Sequence, residues 1–451
     1  MLPRDHSIAD RTGRPLVASR YVGPWLVLLA ALPVGLYRYY TNPDIGLFSW
    51  RVGESTAGAY MGVNYHVYHV AAEQALAGEP FYGVAPHEAT GNFVYLYPPI
   101  TVPAFFPFTA LEWTTGYTVF TVLTVLAGAV ATVVIVRYVE GLGVPLGWVD
   151  VALVFALFVV SIHVTATIYF GNINVLLGLA FAVGFWALSR QRDALAGAAF
   201  AGAALFKLFP ALVGLWLLRD RRYTAVATAL ATGVLGLLAG ALLFGLGTTE
   251  QFFTSALSGR TDPSAFVGGY PAGGLFYVTV QRPLSHVIWA LWPDAPYTVL
   301  PISALILCGG VLAYFYREVQ TQRERVIAAF VTVVITLLVV PSFRLYAPLV
   351  FPPLIALLYT WDDGPGRYLF VAGGVLFSVA FRPSQVIAVT EQAGPFSTVL
   401  TAVGTVGTLQ LYAYGLMIGA CAWHLHCRRS NQDASHSSAD SRAGNQTTGD
   451  R

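Results

Sequence analysis

The chain has 25 basic residues, and one of them is a lysine: Lys207, inside the apolar run ALFKLFPAL. An ionisable side chain at membrane depth costs roughly 2.5–3.5 kcal/mol on insertion scales, so it needs a partner or a task. The nearest basic turns, Arg190/Arg192 before it and Arg219/Arg221/Arg222 after it, lie too far along the chain for simple snorkelling. A lysine ammonium in such a place suits an anionic phosphate. Arg344 and Arg382 fall at outer ends of apolar runs, and Arg260 and Arg282 fall in a hydrophilic stretch. These four could complete a basic ring, because guanidinium forks bind phosphate oxygens bidentately. Interfacial anchoring explains any one of them equally well.

A second concentration of polar chemistry lies in the long loop 41–97, and loops of that length commonly carry function. From Asn64 it reads NYHVYHVAAEQALAGEPFYGVAPHEATGNFVYLYPPI. Val67, Val70, Ala71 and Ala75 sit near helical spacing and Gly78 is a stop, which predicts a short amphipathic helix over 64–77 on the outer membrane surface. A helix that merely packs on the bundle is the plain alternative. Tyr97-Pro98-Pro99 then turns the chain, and Pro103 and Pro107 prevent a regular helix, so 98–111 reads as a rigid re-entrant wall. His163 stands late in an apolar run, before the turn Gly171-Asn172-Ile173-Asn174; a lone histidine there is more often a hydrogen-bonded structural residue than a base. His424, His426 and Cys427 are too few and too close to the tail to converge on a closed metal site. There is no phosphate loop, HExxH or GxSxG motif.

The elements that must position these residues follow from composition. Of 451 residues 56% are hydrophobic and 11% charged, against about 25% charged in a soluble domain. With a mean hydropathy of +0.62, that surface requires lipid. A net charge of +2 excludes a basic nucleic-acid-binding domain, and three cysteines exclude a disulfide framework. Apolar runs near 21–40, 114–137, 146–168, 172–189, 223–246, 297–317, 325–341, 344–361, 366–382 and 398–424 give an all-α polytopic membrane protein of about 10–12 spans. The first run lacks a cleavage site and reads as a retained anchor. Arginine placement puts tail 1–20 and the turns at 190–193, 317–325 and 428–429 in the cytoplasm, with loops 41–97 and 247–296 outside. Run 194–218 must then begin and end inside, which a broken helix pair dipping into the membrane satisfies. A straight span there, with an extra span near 272–291, is the alternative. The polytopic domain covers 21–429, and the Ser/Asp/Asn-rich tail 430–451 is expected to be disordered.

Four ordered pieces, VY with AA and LAGEPFY, then YPP, then GNINVLLGLAFAVGFWAL, then AGAALFKLFPALVGLWLLRDRR, resemble glycosyltransferase family 87, multi-spanning enzymes of the GT-C type. The resemblance covers about residues 20–225; beyond that it rests on hydropathy. It implies a GT-C-like bundle with a long first outer loop, and a polyprenyl-phosphate sugar donor, with mannose the family expectation. It also implies a glycan or glycolipid acceptor, inversion at the sugar, no metal or other cofactor, and an active site facing outside. Lys207, Arg344, Arg382, Arg282 and Arg260 would hold the donor phosphate. His66, Tyr68, Tyr97, Pro98, Pro99, His163, Gly171, Asn172 and Asn174 would line the substrates. The family typically carries an aspartate base four residues before the tyrosine of VY, and here that position is Asn64. An amide cannot act as that base, so Asp44, Glu54, Glu73 and Glu79 are candidates to replace it. Otherwise the chain binds a lipid-linked sugar without transferring it. A transporter is a third reading, against which stands the lack of a matching broken segment in the second half.

Overall fold

The structure is a computed structural model that describes residues 19–41, 60–88, 93–257, 277–317, 319–340, 342–362, 364–380, 394 and 397–446. Asp44, Glu54, Arg260 and Arg382 lie outside the described residues, as does the N-terminal tail up to residue 18. The protein is an all-α polytopic membrane protein. Its helices are α1 Ser19–Thr41, α2 Val63–Ala77, α3 Trp113–Gly141, α4 Trp148–Val160, α5 Ile162–Phe170, α6 Asn174–Ser189, α7 Asp193–Phe206, α8 Val213–Arg219, α9 Tyr223–Phe244 and α10 Leu246–Gln251. They continue with α11 Gln281–Leu291, α12 Val299–Tyr316, α13 Gln322–Val339, α14 Phe351–Thr360, α15 Pro365–Ser378, α16 Ser397–Val406 and α17 Leu409–Gln446. Among the described residues, the strands are a two-stranded antiparallel ribbon, β1 Tyr277–Val278 against β2 Ser342–Phe343.

Among the described residues, α3, α9 and α12 are single helices long and apolar enough to cross a bilayer, and counting each bent pair, α4/α5 and α16/α17, as one span gives five. Many of the other apolar runs fold into shorter helices. The run 146–168, expected to be continuous, bends by 45° at Ser161. The run 344–361 opens with a 3-10 turn, Arg344–Leu349, before α14, and Pro348, Pro352 and Pro353 account for that break. Where a disordered tail is expected, α17 continues past Ser430 to Gln446. Within reach of the extra span considered near 272–291, α11 has 11 residues, about 16 Å of helix and too short to cross.

The prolines of 98–111 produce a 3-10 helix, Pro99–Ala110, rather than an α-helix. It packs beside α2, where Tyr68 stacks near Phe105 and Tyr65 near Phe108. The core is aromatic here: Tyr65, Tyr68 and Tyr95 are almost fully buried. On the opposite flank, α9 is nearly bare, with 6% of its apolar window buried, as befits a helix that faces lipid.

The segment 193–222 is a re-entrant hairpin. α7 rises, the chain breaks at Lys207 and Leu208, a 3-10 turn Phe209–Leu212 follows, and α8 returns. Arg222 Nη1 lies 3.2 Å from Asp193 Oδ1, so the two feet of the hairpin meet at one face of the bundle. Fourteen residues of α7 place Lys207 about 21 Å from that face, well inside a hydrocarbon core of about 30 Å.

Candidate active site at the hairpin tip

Lys207 terminates α7 in an extended conformation (φ −144°, ψ 117°), so its side chain leaves the helix at the break. Its Nζ donates to Asn174 Oδ1 at 2.7 Å and to Asn172 Oδ1 at 3.3 Å. The same Nζ sits 3.8 Å from the centre of the Tyr346 ring. Two charge-assisted hydrogen bonds and a desolvated cation–π contact of about 2 kcal/mol offset the cost of a lysine at this depth. Asn174 is the first residue of α6 and is fully buried. Its Nδ2 has no hydrogen-bond acceptor among the described residues. A buried amide donor beside a cation, at the positive end of a helix, is chemistry suited to an anion's oxygen.

The turn that delivers the two asparagines depends on Gly171. It caps α5 with φ +65°, and a Cβ there would lie 2.6 Å from Tyr65 Cβ. The first turn of α2 is tied to the same place: Gly62, also left-handed at φ +81°, donates its N–H to Tyr169 O at 2.7 Å, and Tyr117 donates to Ile168 O at 2.9 Å. Close backbone approach therefore fixes α2 against the turn that holds Lys207.

Asn64 and Tyr68 are one helical turn apart on α2 and share a face. Tyr68 Oη lies 3.1 Å from Tyr97 Oη, and the Tyr97 ring lies 6.3 Å from Phe206, next to Lys207. Tyr82 holds Tyr97 by donating to its carbonyl at 2.6 Å. Pro98 O accepts from Thr101 N and Oγ1, at 3.0 and 2.7 Å, and this starts the 3-10 helix at Pro99. Lys207, Asn172, Asn174, Tyr68 and Tyr97 are thus gathered at the hairpin tip, with Asn64 on the α2 face that carries Tyr68.

The other expected residues have partners or positions of their own. Glu73 is exposed on the opposite face of α2, 3.5 Å from His69 Nδ1. Glu79 follows the far end of α2, about 22 Å along the helix from Asn64. His66 stacks on Trp113 at 4.2 Å and 3°, and its Nδ1 lies 2.6 Å from Tyr60 Oη. Burial, then the neighbouring His69 and His87, push its pKa down to about 4 against the opposing pull of Glu112, so His66 is neutral at pH 7. His163 is fully buried, its Nε2 3.0 Å from Phe377 O and its ring stacked on Phe377 at 4.2 Å, eight residues before the Gly171 turn. Arg282 is buried with Nε donating to Thr405 O at 2.5 Å, and Arg344 Nη1 donates to Ala380 O at 3.2 Å. Both brace backbone carbonyls; Arg344 also shares its 3-10 turn with Tyr346.

Tyr346 is the residue sequence reasoning missed. Its position after SFRL gives no periodicity that ties it to Lys207; the β1–β2 ribbon and the turn that follows bring it there. Trp113 and Tyr60, which fix His66, carry no spacing signal either.

No curated protein matches the sequence. Among solved structures, the fold is similar to the crystal structure of ArnT from Cupriavidus metallidurans bound to undecaprenyl phosphate, with 15% identity, a TM-score of 0.38, and 89% of this chain and 78% of that chain covered. The family model of glycosyltransferase family 87 matches residues 95–341. That match begins after the VY piece that carries Asn64 and runs on well past residue 225. It spans more than half of the sequence and includes YPP, the Asn172–Asn174 turn, the hairpin and Lys207, and on it the chain belongs to glycosyltransferase family 87.

Proposed function

We infer that this membrane glycosyltransferase takes a hexose, with mannose the family expectation, from a polyprenyl-phosphate donor. It passes the sugar, with inversion, to an extracytoplasmic glycan or lipid-linked acceptor. The observation that carries this reading is the buried Asn174 Nδ2 lacking an acceptor beside the Lys207 ammonium. In the transfer the C1–O bond to the phosphate breaks, the acceptor oxygen bonds to C1 from the opposite side, and the lipid phosphate leaves with the electron pair. Lys207 and the Asn174 amide stabilise the charge that grows on that phosphate. The site supplies this charge from a side chain, and no metal is assigned to it.

The acceptor hydroxyl must lose a proton to a base. On the resemblance of the VY piece Asn64 takes the place of the family's carboxylate, and Glu73 and Glu79 lie on the other face and beyond the far end of α2. Asp44 and Glu54, in the chain that leads into Tyr60, are the remaining candidates. The distribution of arginines argues for cytoplasmic termini and a site that opens outside.

The test is transfer of radiolabelled sugar from polyprenyl-phosphate mannose, and separately glucose, by purified protein in lipid. Lys207→Met should lower transfer by at least ~100-fold, the scale expected for losing a principal charge stabiliser, and weaken donor binding, while the protein remains folded. Wild-type donor affinity in that variant would sink the phosphate role. The amide at Asn64 favours a second reading, a relative that binds the donor without transferring the sugar. Donor binding without transfer in the wild type, with transfer gained in Asn64→Asp, would establish it. Transfer in the wild type, lost in Asp44→Asn or Glu54→Gln, would exclude it.

A further inference from the structure

A cleft of about 590 Å³ opens at the end of the bundle opposite Lys207. It lies between the end of α3, the start of α13, the end of α14 and the start of α15, and its lining includes Gln322, Arg323, Val326, Trp361, Arg367 and one carboxylate, Asp362. α3 starts beside the Lys207 site, at Tyr117, and ends at the cleft, 29 residues or about 44 Å of helix in all. The two sites therefore belong to opposite membrane faces.

The cleft has an arginine on two of its sides. Arg367 is 6% exposed, lies in the first turn of α15, and its Nε and Nη2 come within 3.6 Å of where a Cβ on Gly23 of α1 would sit. The helix dipole at that position adds to its positive potential instead of offsetting it. Arg323 binds the exposed Asp362 carboxylate and, at 2.8 Å, Thr360 O, while its buried Nε has no acceptor among the described residues. Burial opposes it, but hydrogen bonds from Thr321 and Gln320 and the charge of Arg428 hold the nearby Glu324 carboxyl below the usual range, so this acid is committed to the α13 cap and Arg428.

The depth of the cleft is marked by exposed aromatic residues at this end: Trp148, Tyr223, Tyr368 and Trp423. Tryptophan and tyrosine collect at the headgroup level of a bilayer. The cleft joins apolar walls, Val326 and Trp361 among them, to arginines at that level, which is the chemistry of an amphiphilic phosphate.

We propose that this cleft binds the phosphate of an anionic phospholipid headgroup on the face opposite the Lys207 site. The experiment is native mass spectrometry of the purified full chain in detergent, with phosphatidylglycerol, phosphatidylcholine or inorganic phosphate added. Phosphatidylglycerol should be retained at least fivefold over phosphatidylcholine. Arg323→Gln should reduce that retention at least fivefold. Gln322→Glu, which sets a carboxylate at an exposed position of the cleft without disturbing packing, should do the same. Lys207→Met should leave it unchanged. Equal retention of the two lipids, or full retention in Gln322→Glu, would overturn the proposal. Displacement of phosphatidylglycerol by inorganic phosphate at equal concentration would also overturn it, and would assign the cleft to a free anion.

Discussion

The two ends of the bundle hold positive charge in different ways. At one end Arg222 meets Asp193 and Asp220, Arg325 meets Asp220, Arg323 meets Asp362, and Arg428 meets Glu324. Each pair joins segments distant in sequence or closes a turn, and the exposed ones add little stability apiece. At the other end Lys207 rests on two amide oxygens and a phenol ring. The two amides and the ring lower the cost of burying the cation while their own dipoles leave its positive charge in place. Most of the charge at the first end ties segments of the chain together, and on the proposed function the charge at the second end meets the donor phosphate.

The sharpest way to break this contrast is to move a carboxylate to the lysine. Asn174→Asp should weaken donor binding by roughly 10–100-fold, which corresponds to about 1.4–2.8 kcal/mol, in a donor titration of the folded protein. Undiminished affinity would mean that Lys207 only pins the hairpin tip. The converse change is made at the arginine end. Asp220 accepts from Arg222 Nε at 2.9 Å and lies 3.2 Å from Arg325 Nε, with its side chain 9% exposed. Asp220→Asn should cost about 2 kcal/mol of stability, read as a fall of a few degrees in Tm, with transfer per folded molecule unchanged at permissive temperature. A specific loss of transfer would show that the two ends are coupled.

The smallest effect concerns the back of α2. The folded pKa of His66, about 4, lies below its ordinary 6.5, so the neutral ring is the form that fits. Its contribution is fully present above pH 6.5 and is lost as pH falls from there towards 4. Tm at pH 5 should therefore sit slightly below Tm at pH 7, and His66→Phe, which keeps the stack on Trp113, should remove that difference. An unchanged pH dependence in the variant would assign it to another group.

How much of this was legible beforehand depends on what each residue signals locally. The α2 boundaries were readable because Gly78 stops the helix in the left-handed conformation, φ +75°. The 3-10 segment was readable because Pro103 and Pro107 exclude an α-helix. The hairpin followed from arginines on both sides of one apolar run, a constraint that hydropathy alone does not supply. The bend at Ser161 was not readable, since serine is an ordinary residue in a membrane helix. Nor was the placement of Arg282, whose hydrogen bond to Thr405 O depends on how two distant segments dock. Lys207 was legible as an anomaly, but Tyr346 was not, because a tyrosine among apolar residues is unremarkable until the fold sets it over a cation.

The re-entrant hairpin has a consequence for how the chain is threaded during synthesis. Asp193 and Arg222 end on one side, so the segment between them adds nothing to the alternation that sets which way each later helix points. A machine that reads only apolar length would treat α7 to α8 as one crossing and invert everything from α9 onwards. Arg219, Arg221 and Arg222, immediately after the return, guard against that error by holding the second foot where the first began. Reporter domains fused after Arg192 and after Arg222 would therefore emerge in the same compartment, with Lys207 at the apex of a loop of chain that leaves and re-enters it.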